Sequence, residues 1–210
     1  MSMAPARVSV SVGAAIVLTL VISGATPVRA ETEADALDRT ASAVDFTIYA
    51  SKIFTFKREG QFTEFTGQLS FNPANPLDTQ VDLTIYTSSV DIHNDEHNQL
   101  LKSGPFFDVE RFPTMHFASS STDVRPDGTF SVTGDLTIRG ITQRMTIPAK
   151  LKLAPETGGP SIASFESTFE IDRTEFGLTG IAKTHGFNVS ISKKVRIHIA
   201  MATLQKSSGG

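Results

Sequence analysis

From Val44 to Met201 the chain alternates apolar and polar side chains in short runs, the period expected of strands with one buried and one wet face. The clearest run is Phe130, Val132, Gly134, Leu136 and Ile138, set against Ser131, Thr133, Asp135 and Thr137. Arg139-Gly140 interrupts it, and Ile141, Met145, Ile147 and Ala149 resume the apolar face. Glycine tolerates the positive φ of a tight turn, so a two-residue hairpin is predicted. That turn fixes a register: Ile138 opposite Ile141, Thr137 opposite Thr142, Asp135 opposite Arg144, Leu136 opposite Gln143 and Gly134 opposite Met145. A hydroxyl pair and an opposite-charge pair then share the wet face. On the other face Gly134 leaves room, and Gln143 is the one amide among apolar neighbours.

The same period places further strands along the chain. Val44, Phe46 and Ile48 begin the set, and Ile53 to Phe56 follows before Arg58-Glu59-Gly60, which reads as a turn. Gln61 to Phe71 reads as one long strand with Phe65, Gly67, Leu69 and Phe71 on one face. After the Asn72–Asp78 turn segment come Val81, Leu83 and Ile85. Asn94 or Asp95 caps a short helix over Glu96–Lys102 with Leu100 and Leu101 as its apolar side, and Gly104-Pro105 stops it. Phe106, Phe107 and Phe112 form an aromatic cluster ahead of a strand with Met115 and Phe117. Pro126-Asp127-Gly128 turns the chain into the hairpin. Leu151 and Leu153, then Phe165, Ser167, Phe169 and Ile171, then Val195 to Met201 supply the rest. Thr179 to Phe187 reads as a Gly-containing loop. The expectation is an all-β, antiparallel barrel of about eight strands with one short helical insert, wide enough inside for one ligand.

The first 30 residues stand outside this pattern. A short segment with Arg7, a mostly apolar run from Val8 to Ile22, and Val28-Arg29-Ala30 together predict a secretory signal peptide cut after Ala30. Residues 31–42 read as an acidic tether, 43–204 as the barrel domain and 205–210 as a loose tail. Removing Arg7 and Arg29 lowers the basic count from 19 by two, leaving 17 against 22 acidic residues and a net charge of −5. No basic patch favours nucleic acid. The absence of cysteine rules out disulfides and a lipidated N-terminal Cys, so the expected product is periplasmic or secreted, with no membrane anchor after cleavage. Fifteen Phe stand against two Tyr and no Trp, so most of the aromatic surface has no polar handle.

Candidate chemistry is sparse. His93 and His97 are four apart and, with Asp95, give an alternative reading as a metal-dependent hydrolase, although no third ligand stands at recognisable spacing. No G-x-S-x-G elbow or phosphate-binding Gly-rich loop occurs, and Cys is absent. Asp172-Arg173 beside Glu175 reads as a strand-end ion pair that fixes a corner. The inward Phe side chains fit either a solid core or an apolar tunnel, and a cavity-free structural β domain is the third reading.

Four stretches carry a resemblance: Gly60-Gln-Phe62-Thr-Glu-Phe65-Thr-Gly67, Phe106-Phe107-Asp108-Val109-Glu110-Arg111-Phe112-Pro113, Gly134-Asp-Leu-Thr-Ile-Arg-Gly140-Ile-Thr142, and Ile171-Asp172-Arg173-Thr174-Glu175-Phe176-Gly177. In this order, over about residues 44–202, the chain resembles the YceI-like family of exported lipid-binding proteins. The resemblance implies an extended lipocalin-like barrel, a long isoprenoid (quinone-like) or fatty-acyl ligand in its interior, and a non-enzymatic binding or carrier role. It departs from the family at Ala50-Ser51, where members often carry His-Ser. It also departs at Asn94-Asp95-Glu96-His97, which matches Arg-Asp-x-His only in part. With the resemblance, the expected tunnel lining is Phe54, Phe56, Phe65, Phe71, Leu83, Ile85, Phe106, Phe107, Phe117, Leu136, Ile138, Met145, Phe165 and Phe169. Gln143, Asp95 and His97 are the expected head-group contacts. No cofactor or metal is expected beyond the bound lipid, and a homodimer stays open.

Overall fold

The computed structural model describes residues 35–51, 55–71, 75–125, 129–154, 162–184 and 187–204. The signal-peptide region, most of the tether, Phe54, the turn at 126–128 and the tail lie outside the described residues. Thirteen strands are present among them: β1 Asp35–Ala36, β2 Ala43–Ser51, β3 Thr55–Phe62, β4 Phe65–Ser70, β5 Gln80–Tyr86, β6 Val90–Asp91, β7 Thr114–Val124, β8 Phe130–Ile138, β9 Ile141–Ala154, β10 Ile162–Asp172, β11 Ala182–Thr184, β12 Phe187–Ile191 and β13 Lys194–Leu204. Ten have five residues or more, and one α-helix, α1 Asp95–Lys102, lies between β6 and β7. The strands pair antiparallel in the order β1-β4-β5-β7-β8-β9-β10-β13-β2-β12-β11, with β3 beside β2 and β6, and curl into a half-barrel.

The β8–β9 hairpin has the register that its turn dictates, from Phe130 opposite Ala149 to Ile138 opposite Ile141. Arg139 and Gly140 both have positive φ, 52° and 73°, so the loop is a type I′ turn whose twist suits a hairpin. Thr137 and Thr142 share a hydroxyl hydrogen bond of 2.8 Å, and Arg144 lies 3.7 Å from Asp135. Helix α1 is capped as its sequence asks, with the Asn94 carboxamide oxygen accepting from the His97 amide at 2.9 Å.

Three local readings are corrected. Arg58-Glu59-Gly60 is not a turn: β3 runs through it, with Arg58 opposite Ile48, because the β2 edge supplies a continuous ladder. The chain bends instead at Thr63-Glu64, splitting the predicted long strand into β3 and β4. The Thr63 amide donates to Ser89 there, and the Tyr86 amide donates to Glu64. Thr179 to Phe187 is not all loop, since β11 pairs with β12 in a small hairpin.

Two interruptions of the sheet matter for the site. First, β12 and β13 run in line along β2 but are separated by Ser192-Lys193, so the pairing partner shifts from Ile191–Ala50 to Arg196–Thr47. Second, β9 and β10 pair only over Lys150–Ala154 and Ile162–Glu166. Beyond that point Ile141–Ala149 pairs with β8 alone, and Ser167–Asp172 with β13 alone.

The end of the barrel where β9 and β10 are joined holds part of the buried core. Leu69, Val81, Val132, Phe165 and Met201 meet there, all of them buried. Gly134 is part of the inner packing, and the room it leaves is occupied by Phe117. A Cβ on Gly134 would stand 2.5 Å from the Ala118 carbonyl oxygen and 2.7 Å from the tip of the Phe117 ring. Gly134→Ala is therefore expected to lower stability by about 1–3 kcal/mol through overpacking, measured as a shift in the urea unfolding midpoint.

Candidate functional site

At the opposite end, the segment from Ser103 to Pro113 leaves α1 and folds over the mouth of the barrel. It is built from local amide bonds: Phe107 donates to Leu101, Asp108 to Ser103 and Phe112 to Asp108, at 2.9–3.0 Å. Asp108 accepts a positive φ of 51° to make the bend. Phe106 is buried, and Phe107 stands edge-on to Phe62 at 5.5 Å, which in turn meets Phe46 at 5.5 Å. Gly180 provides the floor for Phe106, because a Cβ there would lie 2.5 Å from the ring. Its amide donates to Pro105 at 2.9 Å.

Two arginines tie down this end of the barrel, Arg139 at the cap and Arg173 beneath it. Arg139, at the tip of the β8–β9 hairpin, donates to the carbonyls of Gly104 (2.6 Å) and Phe106. Its guanidinium lies 5.4 Å over the Phe112 ring and 4.0 Å from the Asp108 carboxylate. Arg173 is 9% exposed and points inward. Its Nε donates to Ser192 (3.0 Å), Nη2 to Ile191 (3.2 Å) and Nη1 to Leu178. The break between β12 and β13 frees the Ile191 and Ser192 carbonyls, and Arg173 takes them up. Burial pushes its pKa down from the ordinary guanidinium value, and the nearby Asp172 charge opposes that shift.

The expected Asp172–Arg173 ion pair is thereby corrected. Asp172 turns to the Thr174 side, accepting from its hydroxyl at 2.6 Å and its amide at 2.9 Å. Those bonds, the hydroxyl first, hold its carboxyl below the usual carboxylate range. The stability they confer is present above that range and is lost as pH falls through the lowered value.

Below the cap is a cavity walled by apolar side chains, with Arg173 at its edge. Its free volume, counted as space open to the centre of a water-sized sphere, is about 110 Å³ within about 980 Å³ of atom-free space that includes the mouth. Every major wall contributes: Val44, Phe46 and Ile48 from β2, Leu83 and Ile85 from β5, Met115 and Phe117 from β7, Leu136 and Ile138 from β8, and Ile197 and Ile199 from β13. Leu101, Phe106, Phe107 and Leu178 form the cap side.

Of the expected lining residues, Leu83, Ile85, Phe106, Phe107, Phe117, Leu136, Ile138 and Phe169 line the cavity. Phe65 and Phe165 are buried elsewhere in the core, and Phe71 and Met145 are half-buried away from the lining. Phe56 is corrected outright: it is 37% exposed, with the Arg58 guanidinium 4.9 Å over its ring. Gln143 is likewise not interior. It does lie opposite Leu136 on the inner face, but β9 has lost β10 there, so the amide is exposed.

Asp95 is exposed and His97 half-buried in the first turn of α1. His93 precedes the Asn94 cap with φ 58°, so the two histidines do not share a helical face. The His93 ring lies 3.4 Å from Asp91. Among the described residues no group of three or more His, Asp or Glu is placed to hold a metal ion.

The four stretches singled out in the sequence converge on this cap: Phe62, the Phe106–Phe112 cluster, Arg139 and Arg173 with its following turn. A YceI-like domain matches residues 36–203. The chain belongs to the YceI-like domain family. It is 35% identical over 121 residues to a UPF0312 protein of Ectopseudomonas mendocina, a span of 57% of this chain and 63% of that relative. Identity to Protein YceI of Salmonella paratyphi B is also 35% over 121 residues, 57% of this chain and 63% of that protein. The matched span thus covers less than two thirds of these relatives. BcnA of Burkholderia cenocepacia superposes with a TM-score of 0.66 at 24% identity, covering 80% of this chain and 99% of BcnA. A polyisoprenoid binding domain from Saccharophagus degradans gives 0.58 at 16% identity, covering 82% and 99%. At these identities the likeness is one of fold.

Arg139 and Arg173 are the site residues that pattern reading misses, because an arginine beside a turn reads as a wet residue. Arg139→Ala removes the donor from two cap carbonyls. It is expected to cost about 1.5–3 kcal/mol and to speed amide exchange at Phe106, Asp108 and Phe112 while the β2–β13 ladder stays protected.

Proposed function

We propose that this protein is a non-enzymatic binding or carrier protein of the cell envelope that holds the apolar chain of a polyisoprenoid or another long-chain amphiphile. The observation that carries the reading is the unfilled apolar cavity under the cap. An unfilled space among β-branched and aromatic side chains is dry and favours hydrocarbon. Each buried CH₂ contributes about 0.8 kcal/mol, so a few carbons of chain suffice for useful affinity without a polar contact. The named polyisoprenoid binding domain of the same fold supports the choice of ligand class. The signal-like N-terminal sequence and the absence of cysteine support an exported, disulfide-free location.

The test is mass spectrometry of organic extracts from purified protein, together with titration by cis-parinaric acid, a fluorescent polyene fatty acid. The expected results are a long-chain species near one equivalent and saturable uptake of the probe by delipidated protein. Clean extracts combined with no uptake overturn the reading.

A further inference from the structure

We propose that the gap between β9 and β10 is a lateral portal through which the bound chain enters, leaves and, when longer than the cavity, protrudes. This rests on the carrier reading and says where its ligand passes. The gap is bounded at both ends. At one end the Ser167 hydroxyl donates to the Pro148 carbonyl at 2.6 Å, just where the ladder stops. At the other, a Cβ on Gly177 would lie 3.5 Å from the Ile141 side chain, so the turn after β10 rests on the hairpin tip. Between them nine residues of β9, Ile141–Ala149, and six of β10, Ser167–Asp172, have no ladder partner across the gap.

The edges of the gap are mainly apolar on the inside, with Gln143 on β9 and Ser167 on β10 as the polar exceptions. Continuing the interrupted register would place Ile147 opposite Phe169 and Met145 opposite Ile171. Ile147, Phe169 and Ile171 already line the cavity, so gap and cavity are continuous. Along β9 the inner face opens progressively: Ile147 is 2% exposed, Met145 is half-buried and Ile141 is 39% exposed. Apolar side chains thus lead from the cavity to the surface, interrupted on β9 only by the exposed Gln143 amide, and form a path a hydrocarbon can follow.

The cavity requires such a path. Its free volume of about 110 Å³ is less than the roughly 150 Å³ of an engineered cavity that takes up one benzene. A long chain must therefore extend beyond it. The far end is filled by Phe165, Leu69 and Met201, and the cap is tied down by Arg139 and its backbone bonds. Passage through the gap breaks no β9–β10 ladder hydrogen bond, since the two strands pair only over Lys150–Ala154 and Ile162–Glu166, and Met145 at its edge is an unbranched and adaptable side chain.

The chain has no cysteine, so a single introduced thiol can be labelled cleanly. Gln143→Cys places a label at the gap. Thr142→Cys places one next door on the outer face, where Thr142 meets Thr137. Each variant is coupled to a maleimide-linked polyethylene glycol, checked for wild-type circular dichroism, and loaded with cis-parinaric acid. Transfer to phosphatidylcholine vesicles is then followed by fluorescence. The label at 143 is expected to slow both uptake and transfer about tenfold while the affinity stays within about twofold, the signature of a gate. The label at 142 is expected to leave both rates unchanged. Unchanged rates with the 143 label, or equal slowing by both labels, overturn the portal while the carrier reading stands. Wild-type protein that takes up no probe overturns both.

Discussion

Backbone carbonyls that lose their sheet partners must still be satisfied, and that requirement organises the cap end of this barrel. Where β12 gives way to β13, the Ile191 and Ser192 carbonyls are released beside an apolar cavity. Where α1 ends, the Gly104 and Phe106 carbonyls also lack sheet partners. Each set is met by one arginine, whose planar fork carries several donors on a single stem. Arg173 closes the first and Arg139 the second. The price is a buried cation, offset by charge-assisted bonds to three carbonyls. The cap therefore depends on two side chains that contribute almost nothing to the apolar lining.

This division explains why the four motifs are scattered in sequence yet meet in space. The hairpin tip carries Arg139 because only there does the type I′ turn aim a long side chain back over the barrel mouth. Arg173 follows β10 directly, so it enters beneath the cap at the level where β10 has left β9. Phe62 reaches the same layer from β3 and supports Phe107 edge-on. The YceI-like signature is thus largely a description of how one end of the barrel is closed.

The alternation of apolar residues made the strands, the hairpin and its register legible, and the Asn94 cap made the helix legible. Period alone states which side chains share a face, and it leaves open whether that face is covered. Gln143 and Ile141 do share a face with Leu136 and Ile138, as the hairpin demands. Their exposure follows from the loss of β10, a long-range event with no signal inside β9 except Pro148 near the place where pairing stops. Phe56 is a parallel case, an inner-face position that is not covered. A turn read at Arg58-Glu59-Gly60 gives no sign of β3, whose register puts Phe56 on the same face as Ala50 and Ile48 yet leaves it exposed. Phe165 and Phe169 share one face of the same strand, yet one is buried in the core away from the cavity and the other lines it. That difference is set by how far apart the walls stand, which no local pattern encodes.

The same spacing of the walls accounts for the cavity itself. Over Lys150–Ala154 the β9–β10 ladder is intact, and Phe165, Met201 and Leu69 are fully buried in the interior. Above it the ladder is absent and no backbone bonds hold β9 against β10. Residues of similar size then no longer meet across the interior. Phe117, Leu136, Ile138 and Ile197 line a space that they do not fill. Filling it with larger side chains would tighten this end at the expense of the space, and closing the ladder would narrow the walls onto one another. An incomplete sheet is therefore the structural condition for an apolar space inside a domain whose other end packs like an ordinary core.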